Sequence, residues 1–247
     1  MLLAASAVGT LVWCASMSSM GEMPMPGGWT MSMAWMRMPG QTWSGAAASF
    51  LGMWIVMMVA MMLPSLIPML GRYRKAVGSN GETRLGALTA LVGVAYFVVW
   101  TVFGMAAFPL GVALAALEMR LPALARAVPL VAGVVVVMAG CLQLTAWKAR
   151  HLACCRGAPG RGQTLPADAA TAWRHGLRLG IHCSYCCVGL MAILLVIGIM
   201  DLRAMAVVAA AITIERLAPA GERIARVTGG VLVGAGLLLM ARATGLG

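Results

Sequence analysis

Five of the seven cysteines and all three histidines fall between His151 and Cys187, most of them in two short runs. The denser run is His182-Cys183-Ser184-Tyr185-Cys186-Cys187, with Met191 one turn further on. On a helix, Cys183, Cys187 and Met191 are successive i, i+4 neighbours, and His182 and Cys186 form the pair beside them. One helical turn then offers two or three sulfurs to a common point. Thiolate sulfur is a soft ligand, which points to Cu(I), with Hg(II) and Zn(II) as the other candidates. Thiols held reduced in a cytosol bind metal rather than each other. Arg174 and Arg178 stand close enough in sequence to lower the thiol pKa values. The second run, His151-x-x-Cys154-Cys155, reads as a loop next to Arg156, either a second binding station or exposed thiols. Cys14 and Cys141, alone in apolar stretches, read as packing residues.

Methionine supplies the other soft donors. Eight lie between Met17 and Met38, among them Met23, Met25, Met31 and Met33, interrupted by Pro24, Pro26, Gly27, Gly28, Pro39 and Gly40. The prolines and glycines predict irregular chain, so these side chains have no helix core to fill. A thioether is neutral at every pH and is not lost to a disulfide, which suits capture of Cu(I) or Ag(I) outside the cell. The competing reading is an interfacial anchor, with Trp29, Trp35 and Trp43 dipping into the headgroups. Further on, Met53, Met57 and Met61 share one helix face, with Met58 and Met62 beside them. That stripe is either core packing or a path for the ion. Pro64 and Pro68 near its inner end are expected to break helical hydrogen bonding and open the bundle there.

The elements that hold these residues are transmembrane helices. Of 247 residues, 62% are hydrophobic and 10% charged, and mean hydropathy is +0.91; soluble domains carry about a quarter charged residues. The expected fold is all-α, one polytopic bundle over 1–247 with a Met-rich extracytoplasmic loop at 17–48. Apolar runs at Met1–Ser16, Ser49–Leu70, Leu85–Leu117, Val128–Trp147, Ile181–Met200, Ala204–Leu217 and Val227–Ala241 give about seven spans, or six because the last two are short. The first lacks Lys or Arg before its apolar run and reads as an uncleaved span. Pro109 is expected to kink or end the third. The net charge of +11 sits in short loops, where it sets topology rather than binding nucleic acid. Thirteen of the 18 Lys and Arg fall on one set of loops. That set is therefore cytoplasmic, which places the cysteine runs at the inner ends of spans four and five of a bacterial inner-membrane protein.

Several separated motifs carry a resemblance. Trp173-Arg174-His175-Gly176-Leu177 with His182-Cys183-Ser184-Tyr185-Cys186-Cys187 and Gly189-Leu190-Met191, the run Met57-Met58-x-Ala60-Met61-Met62-x-Pro64-Ser65, and Gln143-Leu144-Thr145-x-x-Lys148 together resemble a bacterial family described as predicted metal-binding integral membrane proteins of unknown function. Glu215-Arg216 fits the same pattern. The similarity extends over roughly Met53 to Arg226. Ser184-Tyr185 departs from it, standing where smaller residues and a glycine are expected, and the Met-rich arm looks peculiar to this chain. The resemblance implies a membrane location and metal binding.

No phosphate-binding loop, Asp-Lys-Thr-Gly site or His-Glu-x-x-His occurs in the sequence, so ATP-driven pumping and zinc-protease chemistry lack their motifs. Asp201 and Glu215 are the intramembrane acids and functional candidates, Glu215 reading also as an interfacial ion pair with Arg216. The functional expectation is capture, transfer or delivery of Cu(I), with a copper chaperone or a larger copper-containing membrane complex as partner. Enzymatic activity is the alternative: a membrane thiol-disulfide oxidoreductase using Cys183 and Cys186.

Overall fold

A computed structural model describes residues 1–18, 23–38, 40–78, 82–156 and 165–245. Met20, Pro39 and Arg161 lie outside the described residues. All seven apolar runs are helical. The chain forms α1 (Leu2–Ser18), a hairpin of β1 (Met23–Met25) and β2 (Trp29–Met31), then α2 (Trp43–Val77), α3 (Glu82–Arg120), α4 (Pro122–Gln143), α5 (Ala146–Arg156), α6 (Ala169–Ile197), α7 (Leu202–Leu217) and α8 (Gly221–Ala243). Five of these, α2, α3, α4, α6 and α8, are long and apolar enough to cross a membrane. The helices α1 and α7 are shorter, at 17 and 16 residues.

Prolines do not divide the long helices. Pro64 and Pro68 lie inside α2, and Pro109 lies inside α3, which runs on to Arg120. In an apolar environment every backbone group needs an internal partner, so the remaining helical bonds hold the chain regular on both sides of a proline. Polar side chains start three helices. Thr42 Oγ1 accepts from Gly45 N at 3.1 Å to cap α2. Asp168 Oδ1 accepts from Thr171 N at 2.8 Å to cap α6, and that backbone donor holds its carboxyl below the usual carboxylate range. Asp201 Oδ1 accepts from Arg203 N and Ala204 N at 2.8 and 3.1 Å. The acid expected as a functional candidate is thus an N-cap of α7.

Glycines set the helix spacing. Burial of apolar surface gives little drive between helices in lipid, so close packing of small residues has to supply it. Gly133 and Gly140 of α4 meet Gly236 and Gly229 of α8; a Cβ on Gly140 would stand 2.8 Å from Gly229 O, and one on Gly236 2.8 Å from Gly133 O. A Cβ on Gly176 of α6 would come within 2.4 Å of Val92 O of α3, and one on Gly180 within 3.0 Å of Tyr96 O. These two glycines bring α6 against α3.

Helix lengths divide the bundle into levels. At 1.5 Å per residue α2, α3 and α6 are about 52, 58 and 44 Å long, against a bilayer core of about 30 Å. The helices α4, α7 and α8 are shorter. Their ends at Gln143, Leu217 and Gly221 lie level with the middle of α6, as the contacts below show. The hairpin sits at the opposite end of the bundle. Trp29 Nε1 donates to Ala125 O, at the start of α4, at 2.8 Å, and Trp35 packs on Gly111, in the later part of α3.

Candidate metal centre

The cysteines expected at the end of a span lie within a longer helix. The charged segment before Ile181 is helical too, so Cys183 is the midpoint of a 29-residue α6. Cys183, Cys186 and Cys187 are all buried, and so is Cys155 of α5. The segment holding His151, Cys154 and Cys155, expected as a loop, is the helix α5. It follows directly on α4 and packs against α6 and α7, and only one of its two cysteines turns inward: Cys155 is buried and Cys154 exposed.

The four buried thiols all lie in one core, and the guanidinium of Arg216 reaches both Cys187 and Cys155. Cys183 Sγ shares a hydrogen bond of 2.8 Å with the Tyr96 hydroxyl of α3. Among the described residues no three His, Cys, Asp or Glu side chains form a ready cage for a metal ion.

Two buried cations border these thiols, each from an unexpected direction. Arg216 of α7 donates from Nη2 to Cys187 Sγ at 3.4 Å and to Cys155 Sγ at 4.0 Å. Its Nη1 donates to Ser65 Oγ of α2 at 3.1 Å, and its Nε has no partner among the described residues. Glu215 does not pair with it. Adjacent helical residues point about 100° apart, and Glu215 turns to the other side of α7. There it accepts from Lys148 Nζ at 2.8 Å and Gln143 Nε2 at 2.9 Å. Lys148 Nζ also donates to Cys186 O at 2.7 Å. The expected interfacial pair Glu215–Arg216 is therefore replaced by a buried Lys148–Glu215 pair and a buried arginine that, among the described residues, meets no carboxylate. Arg174 and Arg178, expected to influence the thiols, are exposed.

Other expected ligands divide between the centre and its surroundings. Met57, Met58, Met61, Met62 and Met191 are buried in the same core as the thiols. His182 is half-buried and faces His151 rather than the cysteines. Cys14, buried as expected, donates to Met200 Sδ at 3.9 Å. Cys141 is exposed on α4, not packed. At the other end of the bundle Met23, Met25 and Met31 belong to the hairpin, where Met23 stands opposite Met31 and Met25 opposite Trp29. Met33 opens the 3-10 turn that follows. A stretch expected to be irregular is therefore paired, because Gly27 and Gly28 adopt positive φ and close the turn. A cleft of about 280 Å³ opens between α4, α5 and α8; Lys148, Leu152 and Arg226 line it, and no cysteine does.

Tyr96, Arg216 and Ser65 emerge here as residues of the centre. Arg216 carried a readable signal, a cation inside an apolar run; Tyr96 carried none.

A sequence-family model described as PpoB2, copper chaperone, matches residues 51–239, more than half of the chain and all of the thiol centre. No curated protein matches, and no solved structure does.

Proposed function

The chain belongs to the PpoB2 copper-chaperone family, and on that premise we propose that it is an inner-membrane carrier that captures Cu(I) and delivers it onward, with Cys183 and Cys187 as the core ligands. Cys186, Cys155 and Met191 are secondary, and the thioethers of Met23, Met25, Met31 and Met33 capture the ion at the outer end. Met57, Met58, Met61 and Met62 lie between and pass it inward. Thiolate binds more tightly than thioether, so affinity rises along this route.

One observation carries the reading: the buried guanidinium of Arg216 touches thiols and, among the described residues, no carboxylate. A buried charge without a counter-charge is costly. Two thiolates on Cu(I) make a centre of net charge −1, which the guanidinium neutralises. The same two thiolates on Hg(II) or Zn(II) make a neutral centre that leaves the arginine unbalanced; a divalent ion needs a third thiolate to match it. Delivery is to a copper chaperone or a larger copper-containing membrane complex.

Metal analysis of anaerobic, reduced protein purified in detergent tests this. Stoichiometric Cu(I) after exposure to copper, zinc and mercury together is the expected result. Zinc or mercury in its place would overturn the reading.

A further inference from the structure

The seam between α5 and α6 has two rungs. In α5, His151 and Cys155 are i, i+4 neighbours; in α6, so are His182 and Cys186. One rung is Cys155 and Cys186, both buried in the same core. The other, one turn away at about 6 Å, is His151 facing His182, with Nδ1 to Nδ1 at 3.4 Å. Both imidazoles are half-buried, and the exposed ring of Tyr185 lies 5.2 Å from that of His151. The thiol rung is sealed, whereas the imidazole rung reaches the surface.

We propose that His151 and His182 form a metal-exchange station through which Cu(I) passes between water and the buried thiols. The inference rests on the copper reading above. A neutral imidazole that keeps its proton on Nε2 presents a lone pair at Nδ1. Two nitrogens at roughly 2.1 Å from one ion stand about 3.4 Å apart at a tetrahedral angle and about 4.2 Å apart in a linear pair, so the observed pair reaches either arrangement with a shift of under about 1 Å. Two neutral nitrogens hold Cu(I) less firmly than thiolates do, which suits a place of transit. The neighbouring rung is then within one turn: the ion leaves two imidazoles for the thiolates of Cys155 and Cys186 by ligand exchange. The two thiol protons go to water, and no oxidant or reductant takes part. Without the station, Cu(I) that has reached the thiols from the α2 side would have to leave past α5.

Transfer of Cu(I) from the loaded, reduced protein to a chromophoric chelator measures exchange directly. In the His151→Leu/His182→Leu double variant the transfer rate should fall by about tenfold or more, since loss of ligand-supporting groups costs 10–100-fold at metal sites. Equilibrium affinity of the thiol site should stay at the wild-type value, which also reports an intact fold. Replacing both histidines by Met, similar in size to Leu but able to bind Cu(I), should restore much of the rate. An unchanged rate in the Leu variant, or equal rates in the Leu and Met variants, would overturn the station while leaving the thiol centre standing. Failure of wild-type protein to bind Cu(I) at all would instead remove the copper reading, and the station with it.

Discussion

Arg216 Nη2 lies 3.4 Å from Cys187 Sγ, while the carboxylate of the preceding residue, Glu215, turns away to Lys148. A helix that places acid and base on adjacent residues separates them, so each finds a different partner. The acid closes a conventional buried pair. The base faces the thiols of Cys187 and Cys155.

Arg216→Met tests that relationship with an effect of opposite sign in the two states. Metal-free protein should unfold at the same temperature or higher, because an uncompensated buried cation has been replaced by an apolar side chain. Cu(I) affinity should drop by about 10–100-fold, the worth of a charge-assisted hydrogen bond of about 1.5–3 kcal/mol. Thermal unfolding with and without bound Cu(I) measures both. A variant less stable without metal and unchanged in affinity would make Arg216 a structural residue.

The Lys148–Glu215 pair should behave in the contrary way. Glu215→Leu leaves Lys148 buried and unpaired, and should cost about 3–5 kcal/mol. The double variant Lys148→Met/Glu215→Leu should recover most of that loss. A double-mutant cycle on detergent-solubilised protein gives the coupling. Additive losses would mean that the pair does not hold α5 to α7.

Much of this was legible in the sequence and some was not, for definable reasons. The apolar runs gave the helices and the clustering of cysteines gave the centre, because both signals are local. Ala146–Arg156 is a helix of low hydropathy, which composition reads as a loop, so the burial of Cys155 and the exposure of Cys154 were not legible. Tyr96 is ordinary in an apolar helix and gains its role only through the approach of α6 to α3. Adjacency in sequence is not adjacency in space: Glu215 turns to Lys148 while Arg216 turns to the thiols. Helical spacing puts His182 beside Cys186 but does not show His151 approaching it from another helix.

Close approach of α6 to α3 should be sensitive to one methyl group. Gly176→Ala puts a Cβ 2.4 Å from Val92 O, so the helices must move apart and strain the Tyr96–Cys183 contact. We expect lower stability and weaker Cu(I) binding together. Gly230→Ala, which meets nothing within 4 Å, is the control and should leave both unchanged. Equal behaviour of the two variants would remove the glycine argument.

The hairpin methionines should affect capture, not the tight site. Leu at Met23, Met25, Met31 and Met33 keeps size and apolarity, a swap that costs less than about 1.5 kcal/mol even at a buried position. Loading at low Cu(I) concentration should slow, with the equilibrium affinity retained. Loading at the wild-type rate would leave the hairpin as an interfacial anchor fixed by Trp29.

The most direct test of the account is a competition titration of reduced protein against a Cu(I) chelator, comparing wild type with Cys183→Ser/Cys187→Ser. Serine keeps the size and the hydrogen bonding to Tyr96 and Arg216 while removing the soft ligand. Stoichiometric tight binding should vanish in the double variant and persist in Cys141→Ser, whose thiol faces outward on α4. Tight binding retained in the double variant would contradict the assignment of Cys183 and Cys187 as the core of the site.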